Sequence, residues 1–272
     1  MAIRRAVVFP GQGSAGGEFS GVVRDAVERT VGDEEVPYQL SVFARSVQLL
    51  GDLREAGIEP DVVAGHSLGE YAAAYAAGSL KLEDGVRLVA ERDRLMNEAS
   101  QENPGEMAAL IGADAREVVE AVESEGGVVV AANFNTPRQT VISGDSESVE
   151  AVAAKVSGKS RKLDVAGAFH SPLMAEAAAG MEYLISGVEL EDPETTMVSC
   201  MDGGVLATAD DVRTALRNQM LSPVRWVAVI ERFVDLGVEE FVEAGDDGTL
   251  TRMLRDFGAI DFEGHKAEKV LA

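Results

Sequence analysis

Cysteine is almost missing from this chain. Cys200 is the single one in 272 residues, so no internal disulfide framework can brace the fold, and a cytosolic setting is expected. Lysine is scarce as well, supplying only 6 of the 24 basic residues, while Asp and Glu total 47 and leave a net charge of −23. Such a surface repels phosphates, which argues against nucleic acid or an anionic membrane as partner. Acid-rich, lysine-poor composition fits salty surroundings, where screening relieves self-repulsion. Long apolar runs are absent too. Nothing approaches the ~18 residues of a membrane-spanning helix. The basic pair Arg4-Arg5 is followed only by Ala6–Phe9 before Pro10, too short for the core of a secretion signal. A soluble, cytoplasmic protein is therefore expected. Hydrophobic residues, by contrast, reach 46%, which excludes a disordered chain despite its charge. The length suits one large domain or two modest ones.

Two arrangements alternate along the chain. Ala6–Phe9 reads as a buried strand entering a glycine-rich loop, and Leu40, Phe43, Val47, Leu50 and Arg54 mark one helical stripe that Gly57 can cap. Asp61–Ala64 reads as a second strand, followed by a turn at Gly65–Gly69 and an alanine-rich helix from Tyr71. Strand, turn and helix recur, which predicts an α/β architecture with a largely parallel sheet. The middle differs. Strands at Met107–Gly112, Gly127–Asn133, Gln139–Gly144 and Arg161–Ala168, with helices at Ala115–Glu123 and Ser146–Val156, give the order β-α-β-β-α-β of a ferredoxin-like unit. It is expected as a subdomain at 105–170, inserted into a core built from 1–104 and 171–272. The tail after Gly258 reads as weakly structured.

Gly65-His66-Ser67-Leu68-Gly69 is a G-x-S-x-G turn between a strand and a helix. Glycines allow the chain to turn sharply enough to expose the serine oxygen at a helix N-terminus, where the Leu68 amide can hold an oxyanion. The alternative for Ser67 is a plain helix cap. A serine nucleophile needs a base, and only three histidines exist. His66 adjoins the serine inside the turn and His265 lies in the tail. His170 stands where a strand meets a helix opened by Ser171 and Pro172, the end of the sheet at which α/β sites gather. Elimination favours His170 as the base, against a structural histidine at a junction. On the helix Glu83–Ala99, Arg92 interrupts the apolar stripe Leu88, Val89, Leu95, Met96 and Ala99, whereas Arg87–Glu91 and Arg94–Glu98 read as ion pairs on the outer face. A core-facing arginine cannot shed its charge, so either an internal carboxylate or a substrate carboxylate must hold it.

These segments carry a resemblance. GHSLGE at Gly65–Glu70, FPGQGS at Phe9–Ser14, AFHSPLM at Ala168–Met174, ERDRLM at Glu91–Met96, NFNTPRQTVISG at Asn133–Gly144 and QMLSPVRW at Gln219–Trp226 occur in order. The chain resembles malonyl-CoA:acyl carrier protein transacylases, relatives of the acyltransferase domains of polyketide synthases. The resemblance implies an α/β-hydrolase-like core with a ferredoxin-like subdomain and the active site between them. It implies Ser67 as nucleophile, His170 as base and Arg92 as the grip on the malonyl carboxylate. By the same likeness Gln12 joins Leu68 in the oxyanion hole, and the Gln219 backbone carbonyl orients the histidine. Asn133 and Asn135 match polar residues near the acyl pocket, a β-turn role for Asn135 being equally open. Phe169 matches a bulky residue that crowds out an α-methyl branch. Malonyl-CoA and acyl carrier protein are the implied partners of a monomer, with no metal and no cofactor of its own.

The chain departs from the family pattern in places. It is shorter between FPGQGS and GHSLGE. Ala15 replaces a common glutamine, Val36-Pro37-Tyr38 stands where Gln-Pro-Ala is common, and Gly245-Asp246-Asp247-Gly248 replaces a Gly-Pro-Gly type of turn. Arg138, Arg161 and Lys162 are a candidate basic patch for an acidic carrier. Competing readings are a serine esterase or thioesterase, a non-catalytic carrier-binding homologue, and an enzyme acting in trans on a polyketide synthase.

Overall fold

The computed structural model describes residues 4–32, 34–258 and 260–272; the first three residues of the basic N-terminal segment lie outside these. Strand β1 (Arg5–Phe9) is buried along nearly all its length. Its run Ala-Val-Val-Phe has no polar alternation because helices cover both sides of the sheet, as parallel strands require. Helices α1 (Gly21–Val31) and α2 (Tyr38–Glu55) follow, then β2 (Val62–Gly65), α3 (Gly69–Ala76) and α4 (Leu82–Glu102). Ala6 to Phe9 pair in parallel with Val62 to Gly65, which sets both strand ends beside the G-x-S-x-G turn.

The chain then builds a second sheet from β3 (Glu106–Ile111), β4 (Val129–Thr136), β5 (Gln139–Gly144) and β6 (Lys159–Lys162). Its helices are α5 (Ala115–Glu123) and α6 (Ser146–Lys155), each capped by the aspartate before it, Asp114 and Asp145. All pairings are antiparallel and the order is β4-β5-β3-β6. The return leg supplies α7 (Ala175–Ser186), β7 (Thr196–Val198), β8 (Val205–Leu206), α8 (Ala209–Asn218), α9 (Trp226–Asp235), β9 (Glu240–Glu243), α10 (Thr249–Met253), β10 (Glu263–Lys266) and α11 (Ala267–Leu271). The larger sheet runs β10-β9-β1-β2-β7-β8, parallel except for β8.

Alternate residues of β1 feed two cores, Val7 and Phe9 packing with α2, α3 and α4, and Ala6 and Val8 with Trp226 and Phe233 of α9. The small sheet divides likewise. Ala108, Leu110 and Ile142 pack under α5 and α6, while Met107, Ala109 and Val141 join the main core. Backbone bonds between Phe134 N and Val224 O (2.7 Å) and between Val224 N and Ala132 O (2.8 Å) also tie it to the larger body. No helix among the described residues is long and apolar enough to cross a membrane.

Three expectations are corrected. The strand expected at Arg161–Ala168 is β6, earlier and shorter: the last ladder bond runs from Leu163 N to Met107 O (2.9 Å), and from there Leu163 and Val165 line a cleft. The tail is ordered around His265, which lies in β10 beside Val242. Its polar residues gave no pattern because backbone pairing at a sheet edge holds β10, helped by the isolated anchors Phe262, stacked on Phe241, and Ala267, both buried. Arg87 pairs with Asp84 (2.8 Å) rather than Glu91, which Arg94 engages together with Glu98.

Candidate active site

Ser67 sits at the tip of a turn that only glycine-flanked chain can make. A Cβ on Gly65 would lie 1.9 Å from the Gly69 carbonyl carbon, and one on Gly69 would lie 2.1 Å from the Phe9 carbonyl oxygen. Ser67 itself takes φ 51°, in the left-handed region that costs a side-chain-bearing residue energy. The strained turn aims Oγ at a cleft of about 420 Å³ between the two sheets. Leu68 caps α3, and its amide precedes the first helical hydrogen bond, so it belongs to the orphan donors of a helix start.

His170 is the other non-glycine residue with positive φ among the described residues, at 58°. Ser171 fixes the bend by donating from Oγ to Ala168 O (2.6 Å) and accepting from Leu173 N, with Pro172 opening the short helical turn beyond. His170 Nε2 lies 2.7 Å from Ser67 Oγ. Its Nδ1 lies 3.0 Å from the carbonyl oxygens of both Gln219 and Ser222. Two carbonyls can only accept, so Nδ1 carries the proton and Nε2 accepts from the serine hydroxyl. Burial, then the nearby Arg92 charge, lower the imidazole pKa to about 4, so the ring is neutral at pH 7.

Arg92 is fully buried on α4. Nη1 donates to Gln39 Oε1, while Nη2 lies 3.3 Å from Ser67 Oγ and 3.4 Å from Gln219 Oε1. The Tyr71 ring centroid is 5.9 Å away, and Nε has no partner among the described residues. These contacts are all neutral, and no described carboxylate bonds the guanidinium, which disfavours the internal-pair alternative.

The remaining expected residues gather at the same cleft. Gln12 lies on a loop packed against the turn, since a Cβ on Gly11 would come within 2.6 Å of His66 O. Phe169, Asn133 and Asn135 are each 6% exposed and line the wall. Asn135 is in β4, not a turn: its Oδ1 accepts from His66 Nε2 (2.8 Å) and its Nδ2 donates to Gln139 Oε1 (2.8 Å). Gln219 does more than lend a carbonyl. Its Nε2 donates to Ser67 O (2.9 Å) and Glu70 Oε2 (2.7 Å), so one side chain touches nucleophile, arginine and Glu70. Glu70 also accepts from Cys200 N (3.0 Å), and burial raises its pKa. Of the proposed basic patch, Arg161 lines the cleft and Arg138 is exposed, but Lys162 is tied to Glu106.

Sequence reasoning missed Gln39, Glu70, Tyr71 and Ser222. Glu70 and Tyr71 follow the turn directly, and a carboxyl on an otherwise apolar stretch was the available signal. Gln39 and Ser222 meet their partners 53 and 52 residues away, with no local pattern to mark them.

Comparison with known proteins identifies relatives in sequence and in fold. The sequence profile of the acyl transferase domain matches residues 12–267. Malonyl CoA-acyl carrier protein transacylase of Bacillus subtilis strain 168 is 34% identical over 285 residues, covering 92% of this chain and 89% of its own. The crystal structure of malonyl-CoA:ACP transacylase from Synechocystis sp. PCC 6803 superposes with a TM-score of 0.88 at 30% identity, over 97% of each chain. A malonyl-transacylase in complex with its holo type II PKS acyl-carrier protein gives a TM-score of 0.84 at 30% identity, over 97% of this chain and 95% of that one. A profile match over nearly the whole sequence, on the fold of solved transacylases, makes the chain a member of the acyl transferase domain family.

Proposed function

We propose that this protein moves a malonyl group from malonyl-CoA to the phosphopantetheine thiol of an acyl carrier protein through a serine acyl-enzyme. One observation carries the proposal: a buried, uncompensated arginine stands 3.3 Å from the oxygen of a buried serine that is bonded to a histidine. A hydrolase of uncharged esters has no use for that cation. A short dicarboxylic acyl group does, because its free carboxylate would reach the guanidinium while its carbonyl sits on Ser67. The family membership and the malonyl specificity in the relatives' names support the same choice.

The reaction is ping-pong. His170 Nε2 takes the Ser67 proton as Oγ attacks the thioester carbonyl. The amides of Leu68 and Gln12 hold the developing oxyanion, and Gln219 O and Ser222 O keep the imidazole in the productive tautomer without a carboxylate partner. The tetrahedral intermediate collapses, the carbon–sulfur bond breaks, and His170 returns its proton to the CoA sulfur. The carrier thiol then attacks the malonyl ester and repeats the cycle in reverse, freeing Ser67. Phe169 restricts α-branched acyl groups, and Asn133 and Asn135 border the acyl pocket. Phosphopantetheine travels with the substrates, so the chain supplies no cofactor.

The domain reading is an α/β-hydrolase-like core, 1–104 and 171–272, with a ferredoxin-like subdomain at 105–170. The strand order β4-β5-β3-β6 and the two helices on one face support the latter. A cytoplasmic monomer is the assembly that goes with it, and Arg161 at the cleft and the exposed Arg138 are cations that an acidic carrier could meet.

Intact-protein mass after brief mixing with malonyl-CoA tests the function. A malonyl adduct on the wild type, absent from Ser67→Ala, is the expected result. Release of CoA without an adduct would replace transfer by hydrolysis, and neither adduct nor turnover would leave a binding protein.

A further inference from the structure

We infer that Gln39 competes with the substrate carboxylate for Arg92: its side-chain oxygen occupies an arm of the guanidinium that a malonyl carboxylate must take over. The inference rests on the malonyl-transfer reading and adds a specificity residue to it. Gln39 is 1% exposed on the first turn of α2. Its backbone N–H donates to Asp93 Oδ1 (3.0 Å), pinning the main chain to α4, the helix that carries Arg92. The side chain is held differently. Oε1 accepts from Arg92 Nη1, but among the described residues the amide nitrogen has only the Met96 sulfur at 3.5 Å, a weak acceptor. A fixed backbone with a loosely held amide lets the side chain swing aside without disturbing the helices.

The energetic order sets what can move it. A bond from guanidinium to carboxylate is about twice as strong as one to a neutral oxygen, and two parallel bonds add geometric fit. An anionic acyl group therefore displaces the amide, whereas an uncharged acyl group leaves it in place. Gln39 also shields the buried cation with a neutral dipole, so Arg92 is tolerated at zero exposure without an internal carboxylate that would compete too well.

Two variants test this. Gln39→Glu supplies such a competing carboxylate. Its loading rate from malonyl-CoA, followed by intact mass, should fall at least roughly tenfold more than its loading rate from acetyl-CoA. Gln39→Leu removes the competitor, so malonate ion should raise the melting temperature of this variant more than that of the wild type. Equal losses on both thioesters in Gln39→Glu would overturn the inference, as would equal malonate shifts in Gln39→Leu and the wild type. The malonate series needs no thioester. A wild type that never loads malonyl, alongside a larger malonate shift in Gln39→Leu, would refute the transfer reaction and leave the competition at Arg92 standing.

Discussion

At the scale of the residue, His170 shows how surroundings rather than residue type set chemistry. Burial and the Arg92 charge hold its imidazole near 4, and His66, half-buried, is shifted in the same direction by loss of solvent. An unfolded chain protonates histidine near 6.5, so between that value and 4 the unfolded state binds the extra proton. Stability is then complete above pH 6.5 and falls as pH drops through this window, by on the order of 3 kcal/mol for His170. Denaturant midpoints from pH 4.5 to 7.5 should show the wild type losing more stability on acidification than His170→Gln; parallel losses would contradict it. The shift also matters in turnover. A carboxylate bound at Arg92 neutralises one cause of the low value, so the imidazole becomes a stronger base when the malonyl group arrives.

At the scale of the element, the sequence departures around the Gln12 loop belong together. Tyr38 OH accepts from Gly13 N (2.8 Å) and donates to Ser14 O (2.9 Å), and Asp247 accepts from Ala15 N (2.5 Å). Arg45 grips Asp246 and donates to Glu18 O (3.0 Å). Tyr38, Ala15 and the Asp246-Asp247 turn thus form one brace on the loop proposed to complete the oxyanion hole. Tyr38→Phe removes two of these bonds at an exposed position, so kcat should fall about tenfold with little change in KM or melting temperature. An unchanged kcat would show that the loop needs no such brace. The same contrast explains what could be read from sequence. Ser67, His170 and Arg92 each break a local rule, as a serine between glycines at a strand end, a histidine at a helix start and a cation on an apolar stripe. Helix α5 was legible to the residue because Asp114 and its apolar spacing agree. Gln39 and Ser222 break no local rule, and β6 and β10 are polar edge strands whose only signature is a neighbour's backbone.

At the scale of the whole molecule, charge opposes compaction. With 47 acidic against 24 basic residues, the surface repels itself, and exposed pairs such as Lys81–Glu189 return little each. Raising ionic strength from about 0.1 to 1 M shortens the screening length from about 10 to 3 Å. The melting temperature should rise over that range in KCl; a flat or falling series would show that the pairs outweigh the repulsion.

The position of β1 carries a consequence in time. It lies in the middle of the larger sheet, yet one of its neighbours is β9, with Arg5 bonded to Glu240 across 235 residues. On a ribosome adding about 5–20 residues per second, β1 waits roughly 10–50 s for that partner. The small sheet, by contrast, closes on itself within residues 106–162 and can assemble while the rest is still being made. Until β9 emerges, β1 keeps one edge without its parallel partner, so the larger sheet closes only after most of the chain has been made, well after the small sheet can.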